Sequence, residues 1–207
     1  MSMVSSRNLG LIVIASVGYS VLVLFAMHLL QPELSPLRVP MSAYILGAYG
    51  PLMTITYFVL CAGWLAVSYG LVTTLPLTRL TKLAFAVSLI ASAGFLIAGI
   101  FPMDYPPPLR TSSGRLHALG GILTLPAMAL ASSLFSLSMR RDVTWRAVSV
   151  AASALSAGII AGYVLMVFSI LVLGFGGYAQ RLLMALLFSW MIVVGLHLTR
   201  TRNHSQP

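Results

Sequence analysis

"LGLIVIASVGYSVLVLFAMHLL", residues 9–30, runs for 22 consecutive positions without a formally charged side chain. At about 1.5 Å of rise per residue, a helix of that length crosses the roughly 30 Å of hydrocarbon in a bilayer. The run is longer than the apolar core of about 7 to 15 residues in a secretory signal, and no small-residue cleavage site follows it. We therefore expect it to remain as a first transmembrane helix. "QPELSPLRVP", residues 31–40, ends it, because three prolines in ten residues cannot continue a helix.

The rest of the chain repeats this pattern. Its 207 residues are 59% hydrophobic and 7% charged, with a mean hydropathy of +0.98, whereas roughly a quarter of a soluble domain is charged. Five further apolar runs cover residues 51–75, 83–101, 116–139, 147–173 and 182–198. Short connections favour packing of sequential neighbours in opposite directions. The expected fold is all-α, a polytopic membrane protein built as an antiparallel six-helix transmembrane bundle, with residues 1–207 as a single transmembrane domain. Within it, Ala154, Gly158 and Gly162 form a small-residue stripe suited to close helix contact. Pro126 is expected to kink the fourth span or free a carbonyl one turn earlier.

The net charge is +9 from 12 Lys and Arg against 3 Asp and Glu. These cations stand singly or in pairs at span ends, with no basic stripe or reader motif, so no nucleic-acid partner is expected. One face would carry Arg7, Arg79, Lys82, Arg140, Arg141, Arg146, Arg200 and Arg202; the other would carry Arg38, Arg110, Arg115 and Arg181. By the positive-inside tendency the richer face, and with it both termini, is cytoplasmic. The single cysteine, Cys61, excludes an intrachain disulfide and a thiolate metal cluster.

That topology gathers the remaining polar chemistry at the outer end, where His28, Glu33, Tyr44, Tyr49, Asp104, Arg115, His117 and Arg181 would meet. Asp104 follows the third span and His117 lies just inside the fourth, in "IFPMDYPPPLRTSSGRLHALGG", residues 100–121. If the intervening loop folds back, they could form an acid/base couple, since a carboxylate orients an imidazole and stabilises its protonated form. The structural alternative has Asp104 capping the fourth span or pairing with Arg115 or Arg181, while His117 bonds a loop carbonyl. A metal site from His28, His117 and one of Glu33 or Asp104 lacks any local spacing motif, so no metal or other cofactor is expected. No phosphate loop, nucleophile elbow or zinc-protease helix appears either.

"YILGAYG", "AGIFPMD", "GRLHALGG" and "GGYAQRLL" (residues 44–50, 98–104, 114–121 and 176–183) together resemble the family catalogued as domain of unknown function 998. The likeness covers about residues 9 to 200, and Phe-Pro-x-Asp followed by Gly-x-x-His is its most specific part. It implies a six-span membrane protein of a bacterial or archaeal plasma membrane, distantly like the Frag1, DRAM and Sfk1 group, which is tied to lipid handling. The positions it marks are Tyr44, Gly47, Gly50, Pro102, Asp104, Gly114, His117 and Arg181. Ala43 stands where an acidic residue is often expected, which counts against an outer carboxylate dyad.

Two functions fit these expectations. In one, the outer residues Tyr44, Tyr49, Arg115, Arg181, His28 and Glu33 help bind a membrane lipid or lipid-like small molecule. Arginine suits a phosphate there through its planar fork of donors. In the other, Asp104 and His117 act as catalytic acid and base of an intramembrane enzyme on a lipid-like or isoprenoid substrate. Both require a hollow beside Asp104 and His117, whereas an assembly factor for another membrane protein would not.

Overall fold

Each apolar run is a helix, and three of the six helices begin well before their hydrophobicity does. The computed structural model describes residues 5–106, 108, 110–174 and 176–201. Its long helices are α1 (Ser6–Leu30), α2 (Gly50–Thr74), α3 (Arg79–Ile100), α4 (Ser112–Met139), α5 (Arg146–Leu173) and α6 (Gly177–Arg200). All six are long and apolar enough to cross a membrane. Arg202, counted above among the cytoplasmic charges, lies outside the described residues.

The early starts of α3 and α4 come from capping. Thr78 Oγ1 accepts the Thr81 N–H at 3.2 Å, and Thr111 Oγ1 accepts the Gly114 N–H at 2.9 Å. A side-chain oxygen there satisfies one of the free donors of the first turn, so each helix nucleates at the polar cap rather than at the first apolar residue. The first turn of α6 is tied differently, its Tyr178 N–H reaching the Leu37 carbonyl at 3.0 Å. Proline sits at the start of α2, where its missing N–H costs nothing. Between α1 and α2 the chain forms a short 3-10 helix, Met41–Leu46, which with residues 31–40 makes an ordered cap.

Contacts between α3 and α4 run in descending register: Thr81 with Ser138, Thr124 with Ala91, and His117 with Ala98. That is the pairing of two helices in opposite directions. The α1–α6 contacts behave likewise, from Ser6 Oγ on the Thr201 carbonyl at 2.6 Å to Arg181 beside His28. Both termini of the described chain therefore share one end of the bundle, with the α2–α3 and α4–α5 turns, and the cap covers the other end.

Because the inside and outside of the bundle are both apolar, size decides which side chain faces inward. Leu22, Val150 and Leu171 stand more than 70% exposed, whereas Ala84, Ala91, Ala131, Ala152 and Ala179 are fully covered. Small residues let helix backbones approach where no aqueous hydrophobic force drives them together. One tight crossing joins α3 and α4: a Cβ added at Gly120 would sit 2.8 Å from both the Ala98 nitrogen and the Gly94 carbonyl oxygen. On α5, Gly158 and Gly162 do face α6, meeting Leu186 and Leu183, but Ala154 is exposed. Only part of the expected stripe makes a contact.

Several buried hydroxyls are settled within their own helices. Ser20, Ser88, Ser92 and Ser136 each donate to the carbonyl four residues back, at 2.7–2.9 Å. This removes the penalty of a bare hydroxyl in hydrocarbon. All three tryptophans, Trp64, Trp145 and Trp190, are fully buried. Helix α4 continues through Pro126, whose lack of an N–H leaves the Ile122 carbonyl without its usual donor.

Candidate functional site

The cap end holds a cavity of about 1050 Å³ lined by residues of all six helices, the cap and the α3–α4 loop. Its wall is largely apolar and includes Met41, Met53, Met103, Met166 and Met184, five of the chain's 11 methionines. Methionine is unbranched and adaptable, suited to a wall that fits more than one apolar shape. Ile122 of α4 and Leu171 of α5 line the cavity and are also 66% and 78% exposed. The hollow therefore opens between α4 and α5 toward the lipid-facing side. At the other end of this helix pair the gap is closed, with Arg140 Nε donating to Ser153 Oγ at 2.9 Å.

Asp104 and His117 both line this cavity, but the structure gives no hydrogen bond between them. The Asp104 carboxylate is taken up by its own loop. Oδ2 accepts the N–H groups of Arg110 at 2.6 Å and Thr111 at 2.8 Å, and Oδ1 accepts the Thr111 hydroxyl at 2.8 Å. These bonds, with Thr111 contributing most and the Arg110 charge adding to it, hold the carboxyl below its ordinary pKa. Asp104 thus fixes the residue that caps α4. Pro107 and Leu109 of the same loop lie outside the described residues.

The His117 ring is buried against the end of α3. Its Nδ1 lies 3.0 Å from the Ala98 carbonyl and 2.8 Å from that of Phe101. Carbonyls only accept, so Nδ1 carries the proton and Nε2 of the neutral ring is left with a lone pair. Tyr57 meets the ring edge-on at 5.8 Å. No described residue hydrogen-bonds Nε2, on the ring edge away from α3. Gln180 lines the same hollow, its Oε1 engaged by the Met41 N–H at 2.8 Å.

A second cluster assembles on the α1–α6 side. Arg181 donates from Nε to His28 Nε2 at 3.2 Å, from Nη1 to the carbonyls of Val39 and Gly177 at 2.9 and 3.0 Å, and from Nη2 to the Tyr44 hydroxyl at 3.1 Å. Its guanidinium also lies over the Tyr44 ring, 5.7 Å from the centroid. His28 donates from Nδ1 to the Leu24 carbonyl, which leaves Nε2 to accept. This one side chain clasps the end of α1, the cap and the start of α6.

The eight residues singled out from sequence therefore divide into three groups. Asp104 and His117 border the cavity; His28, Tyr44 and Arg181 form the clasp; Glu33, Tyr49 and Arg115 are exposed and belong to neither. His28 and His117 lie in different clusters, and among the described residues no three His, Cys, Asp or Glu side chains gather as a metal site would need. Sequence reasoning missed Tyr57, Gln180 and the methionines of the wall. Nothing in their spacing signals a site, because they converge from different elements.

No curated protein and no solved structure matches the chain. A family model described as "Protein of unknown function (DUF998)" matches residues 13–197, which include every helix from the second turn of α1 to the last turn of α6, and the cavity and clasp they build. The chain belongs to that family of proteins of unknown function.

Proposed function

We propose that this membrane protein binds a lipid or other amphiphile in the cap-end cavity, admitted sideways between α4 and α5. The single observation that carries this reading is the cavity itself: about 1050 Å³, apolar over most of its wall, and bordered by Ile122 and Leu171 on the exposed surface. Ligand sites of about 300–1,000 Å³ are typically apolar with a few placed polar groups, and here those groups are His117, Tyr57 and Gln180. The enzymatic alternative loses its second residue, since all three contacts of the Asp104 carboxylate are to its own loop. It would have to proceed with His117 Nε2 alone as the base.

The cavity end is assigned to the outer leaflet by charge. Arg38, Arg110, Arg115 and Arg181 lie there, whereas Arg7, Arg79, Lys82, Arg140, Arg141, Arg146 and Arg200 lie at the end shared by the termini. Cysteines introduced at Glu33 or at Arg141, in a Cys61→Ala background, report the orientation: an impermeant thiol reagent should label the first in intact cells and spare the second.

The test of binding is a plug. Gly121 lines the cavity, and a Cβ added there meets nothing within 4 Å, so Gly121→Trp should fill the hollow without disturbing helix contacts. Mass spectrometry of lipids carried through purification should show a species enriched with the parent protein and depleted at least about tenfold with the plugged variant. Gly18→Trp, at a second glycine with open space around it, is the control. Equal lipid profiles for all three proteins would refute cavity binding.

A further inference from the structure

We propose that the ligand is an uncharged lipid alcohol, such as a prenol or a diacylglycerol, whose hydroxyl donates a hydrogen bond to Nε2 of His117. The proposal rests on the cavity reading above and narrows it to a chemical class.

Three features of the site select this class. The first is the tautomer. With Nδ1–H directed at the Ala98 and Phe101 carbonyls, at 3.0 and 2.8 Å, the other nitrogen of the neutral ring can only accept. A molecule that hydrogen-bonds this nitrogen must therefore offer a donor. An ester carbonyl, an ether or a carboxylate offers none, whereas a hydroxyl does.

The second is the placement of cations. Arg181, the residue best suited to grip a phosphate, does not border the cavity; its fork is directed at Val39, Gly177, Tyr44 and His28. Arg110 and Arg115 are exposed and do not line it either. Among the described residues the one cation on the wall is Arg38, an exposed residue, whose attraction is weakened by water and salt. Asp104 lines the same hollow as an anion. A phosphate monoester would therefore meet a lone pair and a carboxylate, with only a screened guanidinium in compensation.

The third is depth. His117 lies in the second turn of α4, which begins at Ser112, so a hydroxyl bound there sits near the interface while its tail extends among the methionines and leucines below. Gln180, whose Oε1 is held by the Met41 N–H, lines the same hollow, and its amide nitrogen is a donor for which a hydroxyl oxygen is a suitable acceptor. The lipid alcohol is thereby matched at both of its hydrogen-bonding functions.

The test compares two probes that differ only at the head, tritiated farnesol and tritiated farnesyl phosphate. Each is equilibrated with the full-length protein in detergent micelles at pH 7.5, and uptake by the Gly121→Trp variant is subtracted as micelle partition. Farnesol should bind at least about tenfold more tightly than the phosphate, the usual scale of one well-made hydrogen bond against an unmatched charge. His117→Asn, whose amide can still donate toward the α3 carbonyls but offers no group at the Nε2 position, should weaken farnesol by about tenfold and leave the phosphate unchanged. Phosphate binding as tight as that of farnesol, or phosphate binding that strengthens as pH falls, would identify an imidazolium donor and overturn the proposal while sparing cavity binding. So would an undiminished farnesol affinity in a folded His117→Asn protein. If neither probe binds the parent above the plugged variant, cavity binding itself fails. The probe comparison on the parent protein needs no variant at His117 to fold.

Discussion

The Asp104 carboxylate accepts from the Thr111 N–H, the Thr111 hydroxyl and the Arg110 N–H, and every one of these bonds favours its charged form. A carboxyl whose pKa is depressed on folding contributes order that is present above its unfolded value and is lost as pH falls through the folded one. The start of α4 should thus stay protected down to the ordinary carboxylate range and loosen only as pH falls below it. Hydrogen exchange at the Arg110 and Thr111 amides, followed against pH, checks this; loosening already at pH 5 to 6 would contradict it. Thr111→Ala should cost about 1 kcal/mol through the lost cap and shift the same amides. At Arg181 the planar fork spans four acceptors on three segments, so Arg181→Lys should not restore what Arg181→Ala loses. A thermal unfolding assay should rank both well below the parent, each by about 2 kcal/mol, while binding in the cavity persists if the fold does.

At the scale of elements, α3 and α4 are held by backbone proximity and not by large side chains. Gly120 and Gly121 are adjacent in sequence yet differ in surroundings: a Cβ at the first meets backbone at 2.8 Å, and a Cβ at the second meets nothing within 4 Å. Gly120→Ala should therefore destabilise by about 1–3 kcal/mol, the usual penalty for overpacking, whereas Gly121→Ala should be neutral or slightly stabilising, as expected for Gly to Ala inside a helix. Chemical denaturation in detergent separates the two, and equal effects would remove the crossing from the account. Helix α5 shows the limit of pattern reading. Its Ala154, Gly158 and Gly162 suggest one contact stripe, but the covered side runs through Ala152, Ser156, Ile159, Gly162 and Met166. In an aqueous protein a polar opposite face would have revealed that rotation; here lipid accepts Val164 and Phe168 on the outside as readily as the bundle accepts Ile159 within. Helices α3 and α4 likewise begin ahead of the apolar runs that start at residues 83 and 116, because hydropathy locates the apolar span while Thr78 and Thr111 determine where the helix begins.

For the whole molecule, chain composition already determined a great deal. Six uncharged runs of span length, separated by prolines, glycines and lone cations, leave an all-helical membrane protein as the solution that satisfies every backbone group in hydrocarbon. The short connections imply opposed neighbours, and the charge count distinguishes the two ends. The same residues also made Asp104, His117, His28, Tyr44 and Arg181 stand out, since ionisable and polar groups are scarce in this chain. Only the tertiary structure decided how they are divided. Arg181 turns to His28, Tyr44 and the Val39 carbonyl rather than into the hollow, Asp104 closes on its own loop, and the ring of His117 borders a cavity whose wall comes from all six helices and the loops at the cap end. The physical reason is that hydrophobic length is a local property of the chain, readable a span at a time. The direction of a side chain depends on how each helix is rotated against its neighbours, and in lipid no alternation of polar and apolar faces records that rotation.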